Sequence, residues 1–447
     1  MKLTLAQIAA ALGKPLRLEG EATGYSIDTR SIQPGDLFIA LRGPNHDGHD
    51  HVAQALEKGA PAALVESGSS AAALERAIAV PDTFDALKRL AAHARGQWPG
   101  TLVAVTGSAG KTTSKEAIAA LVGVGMPVSK TAGNLNNHIG LPLSILRLEE
   151  STRAAVVEMG MNHSGELREL ARVARPDVGV VTNAGYAHIE FFDSVDGIAL
   201  AKRELVESLG PQGVAVLSAD DERVRRFSEV HPGRSISFGL SAGAGVRATD
   251  LDRVAEGACF TVDGVRFETR LMGLHGVRNV LAGVAVAKLF GIPVARLAEA
   301  ARELAPGRMR GERFAWRGAT IYNDCYNSNP DAVRAMLELI RISPARRRIA
   351  VLGEMLELGR WSEALHRDAG RFVAECGFSV LIGIRGAARH LVEAARQTGL
   401  TADAAYFFDD PADAGSFLRE TVREGDVILF KGSRGTHVET ALERFLE

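Results

Sequence analysis

A glycine-rich segment between an apolar run and a helical pattern constrains this chain more than any other feature. The apolar run covers residues 101–106, and Gly107-Ser108-Ala109-Gly110-Lys111-Thr112-Thr113 follows it directly. Such glycines let backbone N–H groups surround phosphates, while the helix N-terminus and Lys111 supply positive charge and Thr112 supplies a hydroxyl ligand for Mg²⁺. The strict pattern has glycine where Val105 stands, and the alternative is a turn that only caps a helix. The context favours a site for ATP phosphates.

Apolar runs alternate with helical patterns along most of the chain, which predicts α/β domains with parallel sheets and crossover helices. Units of this kind recur from residue 82 to about residue 300. The last third repeats the pattern, with helical segments between strand candidates at 320–323, 349–352, 380–382, 405–408 and 427–430. We therefore expect a doubly wound, Rossmann-like domain there.

The length of 447 residues corresponds to about three domains. We place them at residues 1–81, 82–306 and 307–447, with the second boundary at the helix-breaking Ala305-Pro306-Gly307. The first is predicted to be a small α/β module that carries one exposed polar loop at residues 43–49. The second contains the glycine-rich loop, and the third is the Rossmann-like domain.

The amino-acid composition limits which binding partners and which cellular compartment we expect for this chain. A net charge of −2 and a pI near 6.7 provide no global field for nucleic acid or an anionic membrane. Three cysteines without CxxC spacing favour neither disulfides nor a thiolate zinc site, so we expect a reducing cytoplasm. No apolar run approaches the roughly 18 residues that span a bilayer, and the first residues fit a short amphipathic helix better than a signal peptide.

Two polar residues follow apolar runs, where an open α/β sheet places its ligand groups. Glu158 ends the run 154–157, and His188 lies shortly after the run 178–181. Each alone could be a cap or a surface group, but together they predict a Mg²⁺ site beside the glycine-rich loop. Lys202, in a predicted helix at 194–209, has the context of an ordinary surface lysine.

Polar loops form a second group of candidates. The loop at 130–140 offers neutral amide donors that suit phosphate or sugar recognition as well as a plain turn, from Asn134, Asn136 and Asn137. In the last domain, polar loops at 322–330, 352–355 and 430–437 follow three strands. Because such loops meet at one sheet edge, they predict a second ligand surface, with helix capping as the alternative.

The order of these motifs resembles the Mur ligases, the ATP-dependent amino-acid ligases of peptidoglycan precursor synthesis, over essentially the whole chain. The first domain carries segments similar to a UDP-substrate domain of that family, namely Tyr25-Ser26-Ile27-Asp28-Thr29-Arg30, Pro34-Gly35-Asp36-Leu37-Phe38 and Asp47-Gly48-His49. The segment Thr106 to Thr113 is the family's own form of the phosphate loop. The resemblance implies a UDP-substrate domain, a central ATP domain and a C-terminal Rossmann-like ligase domain.

Further motifs indicate the branch of the family. They are Asn134-Leu135-Asn136-Asn137, Asp324-Cys325-Tyr326-Asn327-Ser328-Asn329-Pro330, Leu352-Gly353-Glu354-Met355 and Lys431-Gly432-Ser433-Arg434. They are similar to the member that joins D-alanyl-D-alanine to the terminal carboxylate of UDP-N-acetylmuramoyl-tripeptide through an acyl phosphate. The Asp-Asn-Pro-Arg motif expected of the tripeptide-forming member does not occur in the sequence.

The resemblance also implies residue roles, with Lys111, Glu158, His188 and Lys202 as the catalytic set. ATP would bind at Gly107, Ser108, Ala109, Gly110, Lys111, Thr112, Thr113, Asn279, Arg308 and Asp324. Mg²⁺ would be held by Thr112, Glu158, His188 and Lys202, the last carbamylated by CO₂. The UDP-substrate would contact Ser26, Thr29, Arg30, Asn45, Asn134 and Asn137, and D-alanyl-D-alanine would lie beside Tyr326 and Asn327. The enzyme would act as a cytoplasmic monomer.

Two other functions stay open at this stage. One is another ligase of the superfamily, either the tripeptide-forming Mur ligase or a folate polyglutamate synthase, and the UDP-type loop of the first domain argues against the folate case. The other is a regulatory ATPase with a phosphate loop that joins nothing. The sequence has no Asn-Lys-x-Asp base-reading motif, and such a protein would leave the polar loops of the third domain without a role.

Overall fold

The computed structural model describes residues 1–15, 18–252 and 256–447. Three mostly parallel sheets with helices packed on them account for the fold, so the predicted α/β class is confirmed. Short 3₁₀ helices occur at Gly48–His51, Ser70–Ala73, Ile189–Phe191, Arg226–Glu229, Gly359–Trp361 and Arg434–Thr436. None of the helices in the described ranges combines the length and the apolar composition needed to cross a membrane.

The N-terminal part contains a four-stranded parallel sheet in the order β3-β4-β5-β6 and a short antiparallel pair, β1 and β2. Its elements are β1 (Leu3–Thr4), α1 (Leu5–Leu12), β2 (Glu21–Ala22), β3 (Gly24–Ser26), β4 (Asp36–Ile39), α2 (Val52–Glu57), β5 (Ala63–Glu66) and β6 (Ala77–Val80). The next helix, α3 (Thr83–Gln97), begins where the Asp82 side chain accepts the N–H groups of Phe84 and Asp85.

The central part is a seven-stranded parallel sheet in the order β13-β12-β11-β10-β7-β9-β8. Its elements are β7 (Thr101–Thr106), α4 (Lys111–Gly123), β8 (Val128–Lys130), α5 (Gly140–Leu146), β9 (Ala154–Glu158), α6 (Glu166–Ala174), β10 (Val178–Val181), α7 (Val195–Glu207), β11 (Val214–Ser218), α8 (Glu222–Arg225), β12 (Arg234–Gly239), β13 (Val246–Arg247), α9 (Gly273–Leu289) and α10 (Val294–Ala301). Because β7 lies between β9 and β10, the loops after all three strands meet at one edge.

The prediction that β and α units continue to about residue 300 is wrong between residues 249 and 269. A three-stranded antiparallel sheet lies there, formed by β14 (Thr249–Asp252), β15 (Ala258–Val262) and β16 (Val265–Thr269). Asp263 and Gly264 join the last two strands with φ of 49° and 77°. Two positive φ values are typical of a two-residue hairpin turn, for which Asp-Gly is a favoured sequence.

The C-terminal part is a six-stranded sheet in the order β17-β18-β22-β19-β20-β21. Its elements are β17 (Glu312–Trp316), β18 (Ala319–Asp324), α11 (Pro330–Ile342), β19 (Arg347–Gly353), α12 (Ser362–Glu375), β20 (Val380–Ile384), α13 (Ala388–Gln397), β21 (Ala405–Phe408), α14 (Pro411–Thr421), β22 (Asp426–Lys431) and α15 (Val438–Leu446). All five predicted strands are confirmed. The antiparallel edge strand β17, which pairs with β18, was not predicted.

Candidate active site

A cavity of about 1080 Å³ separates the central sheet from the C-terminal sheet. Its central wall is formed by the phosphate loop and by the residues that follow β9, β10 and β11, together with the first turn of α9. Its opposite wall is formed by the residues after β18, the first turns of α11 and Lys431 at the end of β22. The polar residues after β18 and β22 therefore face the polar residues of the central part across one space, whereas the predicted loop at 352–355 does not line the cavity.

The phosphate loop is held by the residues that follow β10. Asn183 accepts the Ala109 N–H through Oδ1 at 2.8 Å and donates through Nδ2 to the Ala109 carbonyl at 2.9 Å. The Ser108 N–H also donates a hydrogen bond, to the Asn183 carbonyl at 3.1 Å. The first-turn N–H groups of α4, from Lys111 to Thr113, have no intrahelical acceptors and are thus the donors free for phosphate oxygens.

Two glycines of this loop have backbone conformations that other residues rarely adopt. Gly107 has φ of 155°, and a Cβ there would lie 1.9 Å from Oγ1 of Thr182. Gly110 has φ of 79°, and its Cβ would lie 2.7 Å from Oδ1 of Asn279. Both glycines are therefore required for the loop to pack against its neighbours.

Lys111 lies over the loop, with Nζ donating to the Gly107 carbonyl at 2.8 Å. Burial lowers the pKa of Lys111 from its ordinary value, and Arg310 acts in the same direction, whereas Glu158 and Glu357 oppose the shift. A partly desolvated cation attracts phosphate more strongly than one in water, because the local dielectric is low. Lys111 is therefore placed to neutralise phosphate charge.

Glu158 ends β9 directly beside the phosphate loop and is 2% exposed. One carboxylate oxygen accepts Thr112 Oγ1 and the other accepts Asn136 Nδ2, both at 2.8 Å. The sequence-predicted pair of Thr112 and Glu158 is thus in direct contact. Asn136, which the resemblance did not assign, fixes the orientation of the carboxylate.

Lys202 is not the surface lysine that its sequence context indicates. It lies in α7 and is 1% exposed. Burial lowers its pKa well below the ordinary lysine value, and the nearby charge of Lys111 adds to the shift. Among the described residues neither a hydrogen bond nor an opposite charge opposes this shift. A lowered pKa makes the neutral amine accessible, which is the form that reacts with CO₂.

His188 stands on the same wall, with φ of 65°. Its Nδ1 lies 2.6 Å from Oε2 of Glu357, a residue of the C-terminal part. Contact with His188 keeps the pKa of the Glu357 carboxyl below its ordinary value. His188 also lines the cavity.

The donor set fits Mg²⁺, which prefers oxygen ligands and binds to few protein groups when phosphates are present. Glu158 and Thr112 supply a carboxylate and a hydroxyl, and a carbamate on Lys202 would supply further anionic oxygens. Among the described residues no group of three or more His, Cys, Asp or Glu side chains is arranged to hold a metal by itself. A metal held by Glu158 and Thr112 would therefore need further ligands, such as phosphate oxygens.

The end of the cavity beside α9 contains Asn279, whose Oδ1 accepts Ser114 Oγ at 2.9 Å, and His275, whose pKa burial lowers to about 4. Asp324 accepts Lys431 Nζ at 2.6 Å on the opposite wall. Arg308 is exposed and does not line the cavity. Arg310 does, with its guanidinium 3.7 Å from the ring centre of Tyr326.

The residues expected to contact the UDP-substrate are divided between two places. Asn134 and Asn137 line the cavity, and Asn137 Oδ1 accepts the Gly140 N–H at the start of α5. The first-domain residues do not line it: Ser26 and Thr29 are buried, Asn45 is exposed, and Arg30 is exposed and paired with Asp28. Tyr326 and Asn327 line the cavity on its C-terminal side.

Four residues at or beside the cavity were not identified from the sequence: Asn183, Arg310, Asp331 and Glu357. Asn183 follows the end of β10 by two residues, so its position after a strand was the available signal. Asp331 and Glu357 contact the central part from the C-terminal part. No local pattern reveals such contacts, because they depend on how the parts pack.

The fold and the cavity are typical of a multidomain α/β enzyme with a glycine-rich loop at the start of a central helix. Residues 21–95 match the Mur ligase family catalytic domain, residues 105–287 the Mur ligase middle domain, and residues 307–434 the Mur ligase glutamate ligase domain. The chain is 33% identical over 445 residues to the UDP-N-acetylmuramoyl-tripeptide–D-alanyl-D-alanine ligase of Bacillus subtilis, covering 98% of this chain and 96% of that protein. The chain belongs to the Mur ligase family.

Solved structures agree with this assignment. A crystal structure of MurF from Acinetobacter baumannii superposes with a TM-score of 0.91 at 29% identity, covering 100% of this chain and 99% of that one. MurF ligase from Thermotoga maritima in complex with ADP superposes with a TM-score of 0.83 at 29% identity, covering 94% and 96%. The predicted family and the predicted three-domain α/β class are therefore confirmed.

Proposed function

We propose that this chain joins D-alanyl-D-alanine to the terminal carboxylate of a UDP-N-acetylmuramoyl-tripeptide, with ATP converted to ADP and phosphate. The observation that carries the proposal is the single cavity in which Lys111 and Glu158 face Tyr326 and Asn327. A two-step ligation requires a site where phosphate transfer activates the carboxylate and, in the same space, a second surface that binds the amine. The printed name of the Bacillus subtilis relative, which aligns over almost the whole chain, supports the same substrates.

The chemistry begins with a carboxylate, which is a poor electrophile. A tripeptide carboxylate oxygen attacks the γ-phosphorus of ATP, and the bond to the β-phosphate bridging oxygen breaks, which gives an acyl phosphate and ADP. The amine of D-alanyl-D-alanine then attacks the acyl carbon, loses a proton, and inorganic phosphate leaves. Water must be excluded between the steps, because it would hydrolyse the acyl phosphate.

The central residues position and neutralise phosphate. We assign the first-turn N–H groups of α4 and the ammonium of Lys111 to the phosphate oxygens, with Gly107, Ser108, Ala109 and Gly110 shaping the loop. Thr112, Glu158, His188 and the carbamate of Lys202 would hold Mg²⁺, which supplies positive charge against the phosphate oxygens when bound. Asn136 keeps the Glu158 carboxylate in place, and Asn183 keeps the loop in shape.

Substrate contacts complete the assignment. Asn279 and Asp324 would contact the nucleotide, with Arg310 on the cavity wall in the role that the resemblance gave to Arg308. Tyr326 and Asn327 would receive D-alanyl-D-alanine. The UDP-substrate would extend from Asn134 and Asn137 toward the first domain, where Ser26, Thr29, Arg30 and Asn45 would bind its uridine end. We propose domains at 1–81, 82–306 and 307–447 and a cytoplasmic monomer with no membrane insertion and no nucleic-acid partner.

Phosphate release tests the proposal against a regulatory ATPase. The purified chain is incubated with ATP and Mg²⁺, with or without the UDP-substrate and the dipeptide. We expect sustained phosphate release only when both are present. Release that is independent of both substrates would favour the ATPase, and release with the UDP-substrate and an L-amino acid would favour another ligase of the superfamily.

A further inference from the structure

Asp331 connects the C-terminal part to the residues that follow β10. It occupies the first turn of α11, which starts with Pro330 and is capped by the side chain of Asn329. Its Oδ2 accepts the Tyr186 N–H from the opposite side of the cavity at 2.7 Å. Because Asn329 already caps the helix, the contact of Asp331 with Tyr186 is not needed to begin α11.

Gly185 provides the space into which this carboxylate fits. A Cβ on Gly185 would lie 2.0 Å from Oδ2 of Asp331. Gly185 has an ordinary backbone conformation, since it is not among the glycines with positive φ. An alanine at this position would therefore displace the Asp331 carboxylate without straining its own backbone.

Gly185 also forms two hydrogen bonds with the phosphate loop, as donor in one and as acceptor in the other. Its N–H donates to Ser108 Oγ at 2.8 Å, and the same hydroxyl donates to the Gly185 carbonyl at 3.0 Å. Ser108 is the second residue of the loop that carries Lys111. A continuous path of hydrogen bonds and backbone therefore runs from α11 through Tyr186 and Gly185 to the phosphate loop.

We propose that Asp331 is a positioning residue that couples docking of the C-terminal domain to the geometry of the phosphate loop. The inference rests on the proposed function, because α11 follows the loop of Tyr326 and Asn327 that is assigned to the amine substrate. Docking of that domain through Asp331 fixes Gly185, and Gly185 fixes Ser108. Phosphate transfer to the tripeptide carboxylate is thereby fastest when the domain that delivers the amine is in place, which limits loss of the acyl phosphate to water.

The test compares Asp331→Ala, Asp331→Asn and Gly185→Ala in the full-length enzyme. Alanine removes the acceptor, so we expect kcat to fall about tenfold while KM for the UDP-substrate stays within about twofold. Asparagine keeps an oxygen acceptor and should restore most of kcat. Gly185→Ala fills the same space from the other domain and should reproduce the loss.

A double-variant cycle separates this role from unrelated damage. If both residues act through one contact, the double variant Asp331→Ala with Gly185→Ala has a kcat no lower than that of either single variant. Independent effects would multiply, and kcat would then fall about a hundredfold. The matched control is Asp413→Ala, which removes an exposed acidic residue from the first turn of α14, another helix of the same domain that begins with proline. It should leave kcat unchanged.

Small-angle X-ray scattering with a non-hydrolysable ATP analogue supplies a readout that does not use activity. Asp331→Ala should have a larger radius of gyration than the wild type, and Asp331→Asn should not. The proposal is overturned if Asp331→Ala keeps the wild-type kcat or if Asp413→Ala lowers kcat equally. It is also overturned if the effects of Asp331→Ala and Gly185→Ala on kcat multiply in the double variant. A wild-type enzyme that forms no ligated product refutes the proposed function instead, and the scattering comparison still decides whether Asp331 docks the domain.

Discussion

Replacement of Lys202 by methionine should make the protein more stable while abolishing ligation. Lys202 is 1% exposed, and in the described part of the chain neither a hydrogen bond nor an opposite charge compensates the burial of its amine. A buried polar group without a partner costs about 1–3 kcal/mol. Methionine has a similar volume, so packing should change by less than about 1.5 kcal/mol. We therefore expect a net stabilisation of about 1–3 kcal/mol in CO₂-free buffer.

Calorimetry measures this effect directly. For a domain of 150–250 residues, each kcal/mol moves the midpoint by about 2–4 °C, so the transition of the central domain should rise by roughly 2–12 °C. The difference between the proteins should also depend on pH. Since the folded-state pKa of Lys202 is lowered, the unfolded wild-type chain binds more protons between that pKa and the ordinary lysine value. Wild-type stability therefore increases with pH through that window, and the methionine variant lacks this contribution.

Lys115 provides the matched control, since it is also 1% exposed and belongs to the same sheet domain. Its ammonium donates to the Thr131 carbonyl at 2.7 Å and lies 3.1 Å from Glu116. Lys115→Met leaves these acceptors without their partner and should be destabilising by about 1–3 kcal/mol. A Lys202→Met protein that melts lower than the wild type, or that ligates at the wild-type rate, refutes the reasoning.

Three further predictions concern the phosphate site. Lys111→Ala should reduce ADP formation by roughly 10²–10³-fold without unfolding the protein, measured by coupled ADP assay and circular dichroism; substrate-dependent ATP turnover near the wild-type level would contradict the assignment. Asn183→Ala removes the acceptor of the Ala109 N–H and should weaken ATP binding about tenfold in calorimetric titration, because the loop loses its shape; unchanged affinity would exclude this role. Lys202→Ala should be inactive and partly rescued by acetate or formate, which replace the carbamate; absence of rescue leaves the carbamate without support.

The parts of the site that lie within one strand and the loop after it were predictable from the sequence. The phosphate loop, Glu158 and His188 each follow an apolar run. Because the carboxyl ends of parallel strands meet at one edge of a sheet, such positions come together in any order of the strands. The five strands of the C-terminal sheet were predicted for the same reason. The hairpin at residues 262–265 was predictable in principle, because Asp263-Gly264 is a turn signal, but it interrupts a regular α/β pattern.

Other features depend on packing that no local pattern encodes. Lys202 has neighbours in sequence that are typical of a solvated helix face, yet α7 buries it close enough to Lys111 for the two charges to interact. Arg308 and Arg310 are two residues apart, and only the path of the chain between two domains decides which one reaches the cavity. The contacts of Asp331 with Tyr186 and of Glu357 with His188 exist only because two domains meet.

The most direct test of the central claim is mass spectrometry of the reaction products with ATP, Mg²⁺, UDP-N-acetylmuramoyl-tripeptide and D-alanyl-D-alanine. We predict a UDP-muramoyl-pentapeptide whose amount equals the ADP and the phosphate formed, with no product when Lys111 is replaced by alanine. ADP and phosphate that accumulate without a pentapeptide product would contradict the account.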